Sequence, residues 1–387
     1  MVRVSIYKAD YQRVDEAVER AFDTYAPPVA GRTVLVKPNI LGAVPPERHV
    51  NTHPALVRAV VEALRRRRAG RILVGDNSGM RAYGSNEHAA RVAGILDAAD
   101  GCYTNLGASP VTVPVKSDFA KELAFSREVI EADVLISLPK MKTHVATGIT
   151  GAVKNTYGHL VGGEKMRLHR EAVGAENFAR AVVDVFQVRP PDLAILDAIV
   201  AMEGQGPSGG RPRRVGRILA SDNAVALDSV MAAMMGMDPR RVPMLRLAEE
   251  RGLGPASLEA ITMDGPFEVV PQFKVPGISM GLGAWVARIG SYIMVTRPTV
   301  RRQKCVKCAS CQKACPVGAI TMTDTGPVID TVKCILCFCC HEMCRYEAMS
   351  LTRRMRFLQG LGGTKAEEKT ATAAHAKNAK DAKNGGN

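Results

Sequence analysis

Nine of the ten cysteines in this 387-residue chain fall between Cys305 and Cys344. They repeat one spacing twice, as Cys305-x2-Cys308-x2-Cys311-x3-Cys315 and Cys334-x2-Cys337-x2-Cys340-x3-Cys344. An offset of 29 residues carries each cysteine of the first run onto the second and carries Ser310 onto Cys339, which makes Cys339 the surplus thiol. Clustered thiolates are metal ligands; four suit a cubane iron–sulfur cluster, and zinc competes because it also takes paired CxxC units. Three cysteines at x2-x2 followed by x3-Cys, twice, exceed what a zinc knuckle needs, so the spacing favours iron–sulfur. A dense block inside a large chain is no disulfide framework, and it implies a reducing, cytoplasmic setting.

A second group of chemically capable residues closes a series of apolar runs. "VLVKPN" ends in Lys37 and Asn39, "ILVGDNSG" in Asp76, Asn77 and Ser78, and "AILDA" in Asp197. "SLPKMKTH" brings Lys140, Lys142 and His144, which share one side if that stretch is extended. "TGAVKN" adds Lys154 and Asn155 behind glycines whose backbone amides could approach an anion. Gathered at strand ends, these residues suit a carboxylate or phosphate. Lys37, Lys140 and Lys154, with Asn39 and Asn155, are the candidate binding set. Lys142, His144 and Asp76 are the candidate catalytic set. His144 is the natural proton donor because imidazole titrates near neutrality, and Asp76 would orient a base or a metal ion. "GAVKN" lacks the GxxxxGK[ST] pattern, which argues against a nucleotide-triphosphate loop. Several neighbours carry structural readings: Asp222 as a helix N-cap, His53 as a helix-start residue, Met231, Met234, Met235 and Met237 as core, and Arg65 to Arg68 as a cationic helix end.

The elements that must position these residues follow from the pattern. Short β-branched runs alternate with helical stretches of ten to fifteen residues through about residue 265, and the strands are apolar throughout. That is the signature of βαβ units in an α/β fold, with a mostly parallel sheet covered by helices on both faces. The expected organisation is an α/β core over 1–265, a Pro- and Gly-punctuated connector over 266–298, the cysteine module over 299–352, and a disordered basic tail over 353–387. Within the connector, Gly277 to Val295 is the one apolar stretch of membrane length; Arg288 at its centre argues against a span. The formal charge of +14 falls to roughly +10 if two clusters, each about −2, are bound. A single Trp weighs against base stacking on nucleic acid.

The cysteine block resembles the two-cluster bacterial ferredoxins over about fifty residues. That resemblance implies two [4Fe–4S] clusters with crossed ligation: Cys305, Cys308, Cys311 and Cys344 on one, and Cys334, Cys337, Cys340 and Cys315 on the other. Arg345 replaces the proline expected after the last cysteine. "VLVKPN", "NTHP", "ILVGDNSG", "SLPKMKTH", "TGAVKN" and "SDNAVALD" together resemble the iron–sulfur family known as domain of unknown function 362. That resemblance implies an α/β domain joined to a small α+β ferredoxin-type module, and names no substrate. The leading expectation is an iron–sulfur oxidoreductase of the reductase type, acting on a small anionic substrate and exchanging electrons with a redox partner protein. An electron carrier without its own substrate and a nucleic-acid-binding protein with structural clusters are the alternatives; nucleic acid is the least favoured partner.

Overall fold

The structure is a computed structural model that describes residues 1–78, 86–276, 294–315, 317–334, 339–342, 344, 346 and 348–355. Residues 277–293 of the apolar stretch, residues 356–387 of the tail, Pro316, Cys337 and Arg345 lie outside the described residues, as does the side chain of Cys339. By contacts, the chain divides into one compact unit of Met1–Met280 with Pro298–Ser350 and a second of Gly281–Arg297 with Leu351–Asn387. The cysteine module through Ser350 thus shares its unit with the α/β core.

The strands of the core are β1 (Val2–Lys8), β2 (Thr33–Pro38), β3 (Arg71–Val74), β4 (Pro110–Pro114), β5 (Glu122–Ser126), β6 (Val134–Leu138), β7 (Lys140–His144), β8 (Gly148–Thr150), β9 (Leu193–Glu203), β10 (Arg211–Ser221) and β11 (Ile261–Asp264). Nine described strands form one sheet in the order β11-β1-β10-β9-β6-β2-β3, with β7 paired to β9 and to β8. β10 is antiparallel to both β1 and β9, and β8 to β7; every other pair is parallel. All strands of this sheet but β10 and β8 therefore run the same way, as the alternating pattern predicts. β4 and β5 form a separate hairpin.

Both faces of the sheet are covered. On β9, Leu193 and Ile195 enter one apolar cluster while Ala194 and Leu196 enter another, following the two-residue period of a strand. The first cluster is roofed by α1 (Val14–Tyr25) and α2 (Pro54–Arg66). α1 turns Val14, Ala17, Val18, Ala21 and Phe22 inward at helical spacing. The second is roofed by α3 (Ala152–Asn155), α4 (Glu164–Glu171), α5 (Ala175–Val188) and α6 (Ala224–Met234). Met231, Met234, Met235 and Met237 are buried there, so the methionine stripe is core. His53 starts α2, its Nδ1 accepting from the Ala55 amide. Asp222 does not cap α6: the neighbouring Asn223 does, its Oδ1 accepting from the Ala226 amide at 3.0 Å. Of the arginine run, Arg65 pairs with Asp100, Arg66 with Glu19, and Arg67 with Glu19 and Asp23.

Chain order sets the position of the site. From β2 the chain passes through α2 to β3 on one side; from β6 it reaches β9 on the other. The adjacent carboxyl ends of β2 and β6 thus release their loops in opposite directions, which opens a crevice at this switch point.

Candidate functional site

Asn155 stands at that crevice. Its Nδ2 donates to Ser137 Oγ on β6 at 3.0 Å and to the Lys37 carbonyl on β2 at 3.3 Å. Its Oδ1 accepts from Lys37 Nζ and from Asn39 Nδ2, both at 3.2 Å. Lys37 Nζ also pairs with Asp76 Oδ1 at 2.7 Å, while Asp76 Oδ2 accepts from the Ile40 amide at 2.8 Å. Lys142 Nζ donates to Asn39 Oδ1 at 2.6 Å and to the Val50 carbonyl at 2.9 Å. Five residues expected from the sequence, namely Lys37, Asn39, Asp76, Lys142 and Asn155, therefore form one continuous network. Lys37 is fully buried; burial lowers its pKa, and Asp76 opposes that shift. Gly158 leaves room for this ion pair, because a Cβ there would push against Asp76 Oδ1 and lie 2.6 Å from Lys37 Nζ.

Lys140 belongs to a separate network. Its Nζ pairs with Asp197 Oδ2 at 2.7 Å and donates to the Tyr11 hydroxyl at 2.9 Å, with both charged side chains fully enclosed. Asp197 also accepts from Tyr11 OH at 3.0 Å and from the His53 amide at 3.0 Å. The Tyr11 ring stacks on His53, centroids 3.6 Å apart. Burial pushes His53 down to about 4, Asp197 opposing and Lys140 assisting, so this imidazole is neutral at physiological pH.

His144 closes β7, and its Nδ1 accepts from the amides of Ala146 at 3.1 Å and Thr147 at 3.3 Å. With that lone pair engaged, the neutral ring carries its proton on Nε2. Lys154 lies over two aromatic faces, 5.7 Å from the ring centroids of both Tyr157 and Phe178. The glycine-flanked amides before it already have an acceptor. Asp228 accepts from the Val153 amide at 2.9 Å and the Ala152 amide at 2.6 Å, and Gly151 leaves room that a Cβ would take from its carboxylate.

Burial pushes Asp228 up to about 7, although the two amides oppose the shift. A carboxyl that holds its proton more tightly when folded stabilises the fold below its unfolded pKa near 4, and that stability is lost as pH rises through about 7. Urea unfolding between pH 5 and 8 should show the wild-type midpoint falling relative to Asp228→Asn. A constant difference would mean the amides keep the carboxylate ionised throughout.

Three contributors escape sequence reasoning. Asp228 is a lone carboxylate inside the apolar run "NAVALDSVMAAMM", a signal that could have been read. Tyr11 lies in a loop with no pattern around it. Lys165 sits on α4, where its charge looks like surface, yet it is buried with Nζ donating to Asn77 O.

In the cysteine module the 29-residue offset reappears as structure. Helix Ser310–Lys313 matches helix Cys339–Glu342, and β13 (Ile320–Thr323) matches the start of β15 (Met349–Met355). β12 (Met294–Val300) pairs with β15, and β13 with β14 (Gly326–Ile329). The Ala319 amide donates to Cys315 Sγ and the equivalent Ala348 amide to Cys344 Sγ, each at 3.2 Å. Cys311 and Cys340 are buried in one apolar cluster, with Cys315 and Cys344 packed against it. Burial raises the Cys311 thiol, and the nearby Cys344 and Cys305 raise it further. This proximity of Cys305, Cys311 and Cys344 fits a cubane whose fourth ligand comes from the second run. Among the described residues no three His, Cys, Asp or Glu side chains converge on a single ion; a cubane instead spreads four thiolates over four irons. His341, beside Cys340, joins the module to the core: Nδ1 lies 2.8 Å from Met349 O, and Nε2 lies 3.2 Å from Gln205 O in the loop after β9.

A switch-point α/β domain joined to a cysteine module of this kind defines an iron–sulfur protein, and comparison with known proteins agrees. A 4Fe–4S binding domain matches residues 298–321, which contain the first cysteine run. The chain belongs to the family described as domain of unknown function 362, which matches residues 34–233. It is 35% identical over 265 residues to a thylakoid-associated protein of Synechocystis sp., a match covering 67% of this chain and 81% of that protein. Among solved structures it is similar to the lactate racemase apoprotein from Thermoanaerobacterium thermosaccharolyticum, with TM-score 0.42, 10% identity, 62% of this chain and 58% of that one. A Thermotoga maritima protein gives TM-score 0.37, 12% identity, 63% of this chain and 60% of that one. The chain thus matches under two thirds of the length of either structure. Among the described residues no helix is long and apolar enough to cross a membrane.

Proposed function

We propose that this protein is an oxidoreductase that holds two [4Fe–4S] clusters and couples electron transfer to chemistry on a small anionic substrate at the β2/β6 crevice. The observation that carries the reading is the network of buried lysines with Asn39 and Asn155 at the switch point, in the same compact unit as the cysteine module. Bound clusters supply electrons one at a time, and each offset-related run provides three thiolates with a fourth from the other. Lys37 and Lys142 orient a carboxylate or phosphate, and their burial strengthens that attraction by excluding water. His144 delivers a proton from Nε2, the nitrogen its own amide contacts leave protonated. The His341 contact with Gln205 supports electron passage between module and core, and a redox partner protein supplies or removes the electrons.

The test is anaerobic reoxidation of the reduced protein by a panel of small carboxylates and phosphates. Lys142 is fully buried, so Lys142→Met is preferable to alanine because it keeps the volume. The variant should retain the iron content of the wild type and lose substrate-linked reoxidation by at least a hundredfold. Loss of the clusters, or unchanged reoxidation, would remove Lys142 from the substrate site.

A further inference from the structure

The carboxyl end of β3 holds a buried ammonium that forms no ion pair with a carboxylate among the described residues. Lys165 Nζ donates to two backbone oxygens, Asn77 O and, at 3.5 Å, Ser78 O. An ammonium has three protons, so two carbonyl contacts leave one to place. The carboxylate that acts on it, Asp76, is already bonded by Lys37 Nζ and the Ile40 amide. Two buried lysines thus share one carboxylate, an arrangement that is costly unless a further negative charge is supplied.

His159 gives a second sign, and Asn77 places it nearby: its carbonyl accepts from Lys165, and its Nδ2 donates at 3.2 Å to the carbonyl of Gly158, the residue before His159. The His159 side chain is 1% exposed, and its Nδ1 has no hydrogen-bond partner among the described residues. Burial, then the charges of Lys37, Arg189 and Lys165, hold the ring well below the usual histidine range and therefore neutral. A neutral imidazole can place its N–H on the unpartnered nitrogen and donate to an acceptor there. Burial likewise holds Lys165 to about 8, Asp76 opposing and Lys37 and Lys154 adding to the shift.

We propose that Lys165 and His159 form an anion subsite at the end of β3, taking an oxygen of a carboxylate or phosphate group. The inference rests on the anionic-substrate reading and adds the residues that would bind a second part of the ligand. Bound there, the anion supplies the missing counter-charge to Lys165 and an acceptor for His159.

Isothermal titration calorimetry of the cluster-loaded protein with inorganic phosphate and with oxalate tests this, one probe for each chemistry. Wild type should bind at least one probe, and Lys165→Met should weaken that binding tenfold or more while its melting midpoint does not fall. His159→Phe should weaken it in the same direction. If Lys165 only braces the end of β3, Lys165→Met lowers the midpoint and leaves affinity unchanged, which overturns the subsite. Affinity lost in Lys142→Met and kept in Lys165→Met also overturns it and leaves the crevice reading standing. Wild type that binds neither probe overturns it too, and substrate-linked reoxidation then judges the crevice reading separately.

Discussion

Cys344→Ala is expected to lower the bound iron from about eight atoms per chain to about four. Cys344 ends the second cysteine run, yet its sulfur lies close enough to Cys311 to raise that thiol, as Cys305 of the first run also does. In the proposed crossed ligation the last cysteine is the fourth ligand of the first of two clusters, so its removal should spare Cys334, Cys337, Cys340 and Cys315. Cys315→Ala should give the mirror result, losing the other cluster. Cys339→Ser should retain about eight atoms, because the offset pairs Cys339 with Ser310, which is no ligand. Iron and sulfide analysis with EPR of the reduced variants distinguishes these outcomes. Full iron content in Cys344→Ala would break the crossed scheme; about four atoms in Cys339→Ser would make the surplus thiol a ligand.

Asp197→Ala is expected to destabilise the fold by about 3–5 kcal/mol, as breaking a buried ion pair does when one charge is left behind. Asp197 and Lys140 are both fully enclosed, and the carboxylate also serves Tyr11 OH and the amides of His53 and Ile199. Its loss strands the Lys140 ammonium, the Tyr11 hydroxyl and the first turn of α2 together. The double variant Lys140→Met/Asp197→Leu should recover much of the loss, since it removes both charges and keeps volume. Denaturant midpoints followed by far-UV circular dichroism measure both. A loss below about 1 kcal/mol in Asp197→Ala would mean that water reaches the pair and screens it.

The two networks show where sequence reasoning reached and where it stopped. "KMKTH" reads as a strand with Lys140, Lys142 and His144 on one side, and the strand is there. Their partners are not legible, because partners come from elsewhere in the chain: Asp197 from β9, Asn39 from the β2 loop, and Tyr11 from 129 residues before Lys140. Residue type predicted lysines facing a ligand; tertiary packing also gives Lys140 and Lys37 carboxylates of the protein's own, Asp197 and Asp76. The same holds for "GAVKN". Its glycine does allow a carboxylate to approach, and that carboxylate is Asp228. The parallel sheet was legible because covered strands must be apolar on both faces. The antiparallel insertion of β10 between β1 and β9 was not, since its apolar end, Ile218 to Ala220, carries the same signal whichever way it runs. The cysteine repeat was the most legible feature, because each run of four cysteines lies within eleven residues and the spacing recurs.

The central claim, that the strand-end site and the clusters form one redox machine, is tested most directly by an anaerobic redox titration of the purified protein followed by EPR. Two reducible clusters at around −400 mV or below are predicted, as for ferredoxin-type sites, with reoxidation accelerated by the anion that the crevice binds. Clusters that resist reduction across the biological range would contradict the account and make them structural.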